Sequence, residues 1–237
     1  MRGIGIITCW LILSVGLIFQ VRAQENRFNV GLEAGPGLTL LYGNQILKAW
    51  NRPDAGCAAG VSFQYNFEKI VSIRTGIDYQ HEGSAVKITA NNPFGPSTPL
   101  SGHNILNYLV VPVLARVSFV KKIRFFLDAG TYLGILLKAT EETDPFLGYP
   151  KSKTDYTKNL LRADVGLCVG PGISVPVAKN LEISFEARNN IGLLNIATRQ
   201  VYGGGSIKTY TVNFLFGMEY KFGERQPPPP RVPIIDN

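Results

Sequence analysis

From residue 28 to residue 222, apolar and polar side chains alternate with a period of two in eight separate stretches. That is the pattern of β-strands presenting one face to an apolar phase. The connections alternate too. The first, third, fifth and seventh stretches are followed by long links, at 43–54, 83–104, 140–159 and 195–206. The second, fourth and sixth are followed by tight ones, at 68–70, 121–123 and 177–179. The rhythm predicts an all-β fold, an eight-stranded antiparallel up-and-down transmembrane β-barrel with short periplasmic turns and long extracellular loops.

The contents of the two faces separate this reading from a soluble barrel. One face carries residues such as Val30, Leu32, Val61, Phe63, Ile73, Ile77, Val113, Leu127, Leu133, Leu167, Ile183, Phe216 and Met218. None of the 44 positions assigned to that face is charged, although 17% of the chain is. The other face carries Glu33, Arg74, Asp78, Arg116, Asp128, Asp164, Glu182, Glu186, Arg188, Glu219 and Lys221, along with glycines 60, 76, 130, 134, 166, 170, 172 and 217. In a narrow barrel interior, glycines leave room for long side chains from opposite strands. On a water-exposed outer face they only weaken strands. Phe28, Tyr65, Phe119, Phe125, Tyr220 and Phe222 fall on the apolar face near the tight-turn ends, as an interfacial aromatic girdle would. The charged face is therefore expected inside and the apolar face in lipid, which disfavours a soluble periplasmic lipocalin-like binder.

Composition changes this picture at the two ends. Arg2, the apolar run 4–19 and Val21-Arg22-Ala23 read as a signal peptide cut after Ala23. Its removal lowers the formal charge from +7 to +5, and the remaining basic residues are scattered, so no nucleic-acid partner is expected. The expected organisation is a signal peptide at 1–23, a barrel domain at 24–222 and a Pro-rich periplasmic tail at 223–237. Pro227 to Pro230 favour an extended polyproline conformation there. Cys57 and Cys168 fall on the second and sixth strands, on opposite sides of such a barrel, too far apart for a disulfide.

No GxSxG, HExxH or phosphate-binding loop is present, and no Cys/His cluster suggests a metal. No cofactor is expected. The histidines supply the single enzymatic alternative, a lipid-modifying site at the outer rim. His81 lies near Glu82 and Ser84, and His103 near Ser101, the residue types of nucleophilic catalysis. The charged face instead predicts a structural ion-pair network of Arg74, Asp78, Arg116, Asp128, Glu186 and Arg188, filling the lumen. The tight turns place Arg116 opposite Asp128 and Gln64 opposite Arg74.

Three stretches resemble the PorT-like outer-membrane β-barrel family of Bacteroidota: 108–114 (YLVVPVL), 185–196 (FEARNNIGLLNI) and 215–222 (LFGMEYKF). The resemblance runs from about residue 28 to residue 222 and implies a barrel of the bacterial outer membrane. The chain departs from the habit of many outer-membrane barrels by continuing past the last-strand aromatic, Phe222. The expected function is that of a non-enzymatic structural or interaction component of the cell envelope. Its expected partners are outer-membrane lipid and an envelope protein met through the loops or the Pro-rich tail.

Overall fold

Hydrogen bonding between successive strands closes the sheet on itself. The structure, a computed structural model, describes residues 26–68, 70–90, 98–119, 123–145, 149–201 and 204–224. The signal peptide expected at 1–23 lies outside them, as does the expected tail beyond Glu224. In chain order the elements are β1 (Asn26–Tyr42), α1 (Gln45–Trp50), β2 (Asn51–Arg52), β3 (Asp54–Asn66), β4 (Val71–Ala90), β5 (Thr98–Phe119), β6 (Arg124–Thr143), β7 (Ser152–Asp155), β8 (Ala163–Ala178), β9 (Leu181–Gly192) and β10 (Lys208–Glu224). Each long strand pairs antiparallel with the next, and β10 returns to β1 through a register running from Asn26↔Glu224 to Tyr42↔Lys208. Eight strands form the ring. The short β2 and β7 add to β4 and β6 on the loop side, so the described sheet has ten strands in all.

The two faces fall as the alternation predicts. Leu32, Val113, Leu133, Phe216 and Met218 are exposed, whereas Arg74, Asp128, Glu186 and Arg188 are no more than 2% exposed. This is a soluble protein turned inside out, and it overturns the lipocalin-like alternative. At the tight-turn end, Phe28 packs on Tyr65 and Phe222 with ring centroids 5.3 and 5.6 Å apart. Phe119 and Phe125, both exposed, face each other in register. Cys57 is exposed and Cys168 buried, both free.

Three connections differ from expectation. The link placed at 83–104 is largely a continuation of the β4–β5 hairpin, since the ladder runs to Ala90↔Thr98. Backbone pairing is independent of side-chain polarity, so the polar residues there do not interrupt the ladder. Strands β4, β5 and β6 therefore reach 20 to 22 residues, about twice the 9–11 a tilted strand needs to cross. The link at 43–54 contains α1, capped by Asn44 Oδ1 accepting from the Leu47 amide at 2.7 Å. The tight turn placed at 177–179 falls instead at Lys179-Asn180, with a register shift between Pro176 and Ala178. Pro176 has no amide proton for the ladder, so the chain bulges there before turning.

Candidate functional site: a charged lumen under an apolar stopper

Inward-facing positions from six ring strands converge on three buried arginines. Arg116 of β5 holds Asp128 of β6 in a bidentate pair, Nε to Oδ1 and Nη2 to Oδ2, both 2.7 Å. The register sets the two residues directly opposite, and the Phe126 ring lies 3.7 Å from the Arg116 guanidinium carbon. Arg188 of β9 makes a second bidentate pair with Glu186 of the same strand, at 2.8 and 2.7 Å. It also reaches Glu33 of β1 at 2.6 Å and Asp78 of β4 at 3.2 Å. Arg74 of β4 binds Glu33. It approaches Glu186 and Glu219 at 3.5 Å and Asp128 at 3.9 Å.

The six residues expected to form the network thus lie in one cluster. Sequence reasoning omitted Glu33 and Glu219, which join it from β1 and β10. The charged face already contained both; their proximity to Arg74 depends on packing across the ring, which strand-by-strand reading lacks. Gln64 stands opposite Arg74 as expected, yet its amide oxygen accepts from Arg116 Nη1 at 3.1 Å. Strand β8 contributes space. A Cβ on Gly170 would come within 2.6 Å of Glu186 Oε1, and one on Gly172 within 2.2 Å of the Phe126 ring.

Toward the loops the lumen changes character. Gln80, Asn190 and Asn213 form an amide cluster, with Gln80 Oε1 accepting from both asparagines at 3.1 and 3.4 Å. Leu160 and Ile196 pack on Leu41, Leu106, Tyr108, Val110, Leu114, Tyr132 and Leu136 in one buried apolar cluster, which runs down the β5 side of the lumen to Val110 and Leu114, opposite Asp78 and Arg74. Leu160 and Ile196 come from loops, not strands. The two loops are stitched together by the Leu161 amide donating to Ile196 O at 2.7 Å and the Thr198 amide to Asn159 O at 3.1 Å. They seat Leu160 and Ile196, the loop end of this cluster, as a stopper in the barrel mouth.

The rim histidines do not assemble a nucleophilic site. His81 Nδ1 meets Asn107 Oδ1 at 2.8 Å. Glu82 and Ser84 are buried, and Glu82 belongs to the opposite face of β4. His103 Nδ1 meets Asp54 Oδ2 at 2.6 Å, but the Ser101 hydroxyl donates to Asp144 at 2.8 Å. Among the described residues no group of three or more His, Cys, Asp or Glu side chains is placed to hold a metal ion. On the β6–β7 hairpin, outside the membrane, Lys151 and Lys153 both bind Glu142 at 2.7 Å. They hold its carboxyl at about 2, below the usual 4.5.

Comparison with solved structures finds chains that align over most of this one. Neisserial surface protein A is 19% identical, with a TM-score of 0.44, covering 82% of this chain and 97% of its own. The attachment invasion locus protein Ail of Yersinia pestis is 11% identical, with a TM-score of 0.39, covering 84% and 99%. Outer membrane protein W of E. coli is 11% identical, with a TM-score of 0.37, covering 85% and 100%. Comparison with curated proteins finds no match. The family model for the outer membrane protein beta-barrel domain matches residues 19–198. With its apolar outer wall and charged interior, the chain is a protein of the bacterial outer membrane and belongs to the outer membrane protein β-barrel domain family.

Proposed function

We propose that this protein is a non-enzymatic barrel of the PorT-like kind with a closed lumen, a structural or interaction component of the envelope that meets its partner through the extracellular loops. The observation that carries the reading is the filled interior. The ion network occupies the barrel between its strands, and the stopper closes the mouth above it. An eight-stranded barrel is just wide enough for side chains to fill, so the network is structural and a conduction path has no room. The long strands β4, β5 and β6 lift a wall of sheet well beyond the membrane, where a partner protein would meet it. The three stretches at 108–114, 185–196 and 215–222 support the PorT-like assignment within the wider family.

The test has two parts. Reconstituted into a planar bilayer, the purified barrel is expected to give no steady ion conductance. Photo-crosslinkers placed on the exposed β7 at Lys153 and on the exposed loop residue Arg199 are expected to capture one protein partner in intact outer membrane. A steady conductance, or capture of lipid alone from both positions, would overturn the proposal.

A further inference from the structure

Two carboxyl groups of the upper lumen stand apart from the ion network. Glu82 of β4 and Asp164 of β8 are 7% and 2% exposed, and no basic side chain acts on either. Asp164 is fixed by hydroxyls: Thr209 donates to its Oδ2 at 2.6 Å and Tyr132 at 3.2 Å. Its Oδ1 has no partner. The hydroxyl of Tyr108, on a residue 1% exposed, is also without a partner. It belongs to the same compartment. The Tyr108 ring and the Asp164 Cβ flank Gly134, on which a Cβ would lie 3.2 and 3.5 Å from them, and the Thr211 hydroxyl is hydrogen-bonded to the Glu82 carboxyl. Ser84, two residues along β4 and wholly buried, offers a further unpartnered hydroxyl. Leu106 stands opposite Glu82 and Leu136 opposite Tyr108, so the apolar cluster walls this compartment on one side, with Leu160 and Ile196 toward the loops and the Gln80 amide cluster below.

An ionised carboxylate sealed in such a space without a counter-charge is strongly disfavoured. Buried hydroxyls with no partner are equally anomalous, because their desolvation is not offset. One occupant resolves both. Every free donor here is oxygen, none is nitrogen or thiolate, and two carboxylates bring a formal charge of −2; this is the donor chemistry of hard cations such as calcium or sodium. We propose that the compartment between Glu82, Asp164, Tyr108 and Thr211 is a binding site for one hard cation, with calcium the member that matches its charge. The ion would enter while the barrel folds, before the loops seat Leu160 and Ile196. The inference concerns the lumen and is independent of what the loops bind.

The full chain would be unfolded in urea with a chelator. It would then be refolded into detergent with calcium chloride, sodium chloride or choline chloride at equal ionic strength, and desalted. Elemental analysis is expected to find one calcium, or failing that one sodium, retained per chain. The temperature at which the folded band disappears from gels is expected to be higher than after refolding in choline. Glu82→Gln and Asp164→Asn are expected to abolish both the retention and the shift, while Glu142→Gln, at a half-buried carboxylate of the β6–β7 hairpin outside the lumen, keeps both. Retention of no ion from either salt would overturn the site, as would retention that survives both lumen substitutions. The first result would mean the two carboxyls are held protonated, the second that the ion lies elsewhere. Should either variant fail to fold, the ion count on the unaltered chain still decides.

Discussion

At the scale of single residues, the lumen is governed by an imbalance. Arg74, Arg116 and Arg188 face five carboxyl groups, those of Glu33, Asp78, Asp128, Glu186 and Glu219. Losing a cation therefore damages the cluster more than losing an anion. Asp128→Ala is expected to destabilise the barrel by about 3 kcal/mol, near the lower end for breaking a buried pair. Arg116 would still have Glu186 at 3.8 Å and Glu219 at 3.6 Å. Arg116→Met should cost more, because five carboxyls would then share two guanidinium groups. The double change Arg116→Met with Asp128→Leu should recover much of the loss, since neither charge is left alone. Urea unfolding in liposomes measures the coupling through a double-mutant cycle. Additive single effects would contradict the bidentate pair. A pair with a working role would fold in the double mutant and lose its biological activity, which is not the expected outcome.

At the scale of elements, the strand pairings are where the sequence was most legible. Alternation gave the faces, and turn length gave Arg116 opposite Asp128, because a hairpin with a three-residue turn has one possible register. On β6 that register makes neighbours behave differently. Leu133 is exposed to lipid, so Leu133→Arg should cost about 2–4 kcal/mol near mid-bilayer. Gly134 faces inward beside Tyr108 and Asp164, so Gly134→Arg acts by overpacking and is insensitive to lipid. A bilayer quencher reaching a probe at 134 and not at 133 would reverse the assignment. Legibility failed where periodicity carries no signal. Strand β5 is apolar on both faces, with Leu106, Val110 and Leu114 turned inward; such a strand reads as doubly buried, a hint of the stopper that alternation alone passes over. Leu160 and Ile196 lie in loops and have no period at all. The β6–β7 hairpin adds ion pairs to its backbone ladder. Because the Glu142 carboxyl is depressed to about 2, its contribution is present above about 4.5, the ordinary value, and is lost as pH falls through 2. Amide exchange in β7, normalised to intrinsic rates, should accelerate over that window and already be fast at neutral pH in Glu142→Gln. An unchanged β7 in both cases would mean backbone pairing alone holds it.

At the scale of the whole molecule, two barriers stand in series in one lumen. The stopper is made by loops, which meet through Leu160 and Ile196 outside the ring's strands. The ion network is part of the ring itself, since its members come from β1, β4, β5, β6, β9 and β10. The barriers are therefore expected to fail independently. Leu160→Ala with Ile196→Ala removes buried apolar volume at the mouth, and large-to-small changes of this kind cost about 2–5 kcal/mol each in a packed core. Because the partners are loops able to relax, most of that loss should appear as loosened loops rather than an unfolded barrel. Protease cleavage within 156–162 or 193–201 should increase while the heat-modifiable gel shift persists. Conductance should nevertheless remain absent, because Arg74 and Arg188 still bridge the interior through Glu33 and Glu186. Adding Arg74→Ser and Glu33→Ser to the stopper variant removes one cation and one anion from the centre of the cluster and leaves its net charge unchanged. Steady conductance is expected only in this quadruple variant. Conductance from the stopper variant alone would show that the mouth is the sole seal, and the ion network would then have to be regarded as lining a path rather than blocking one.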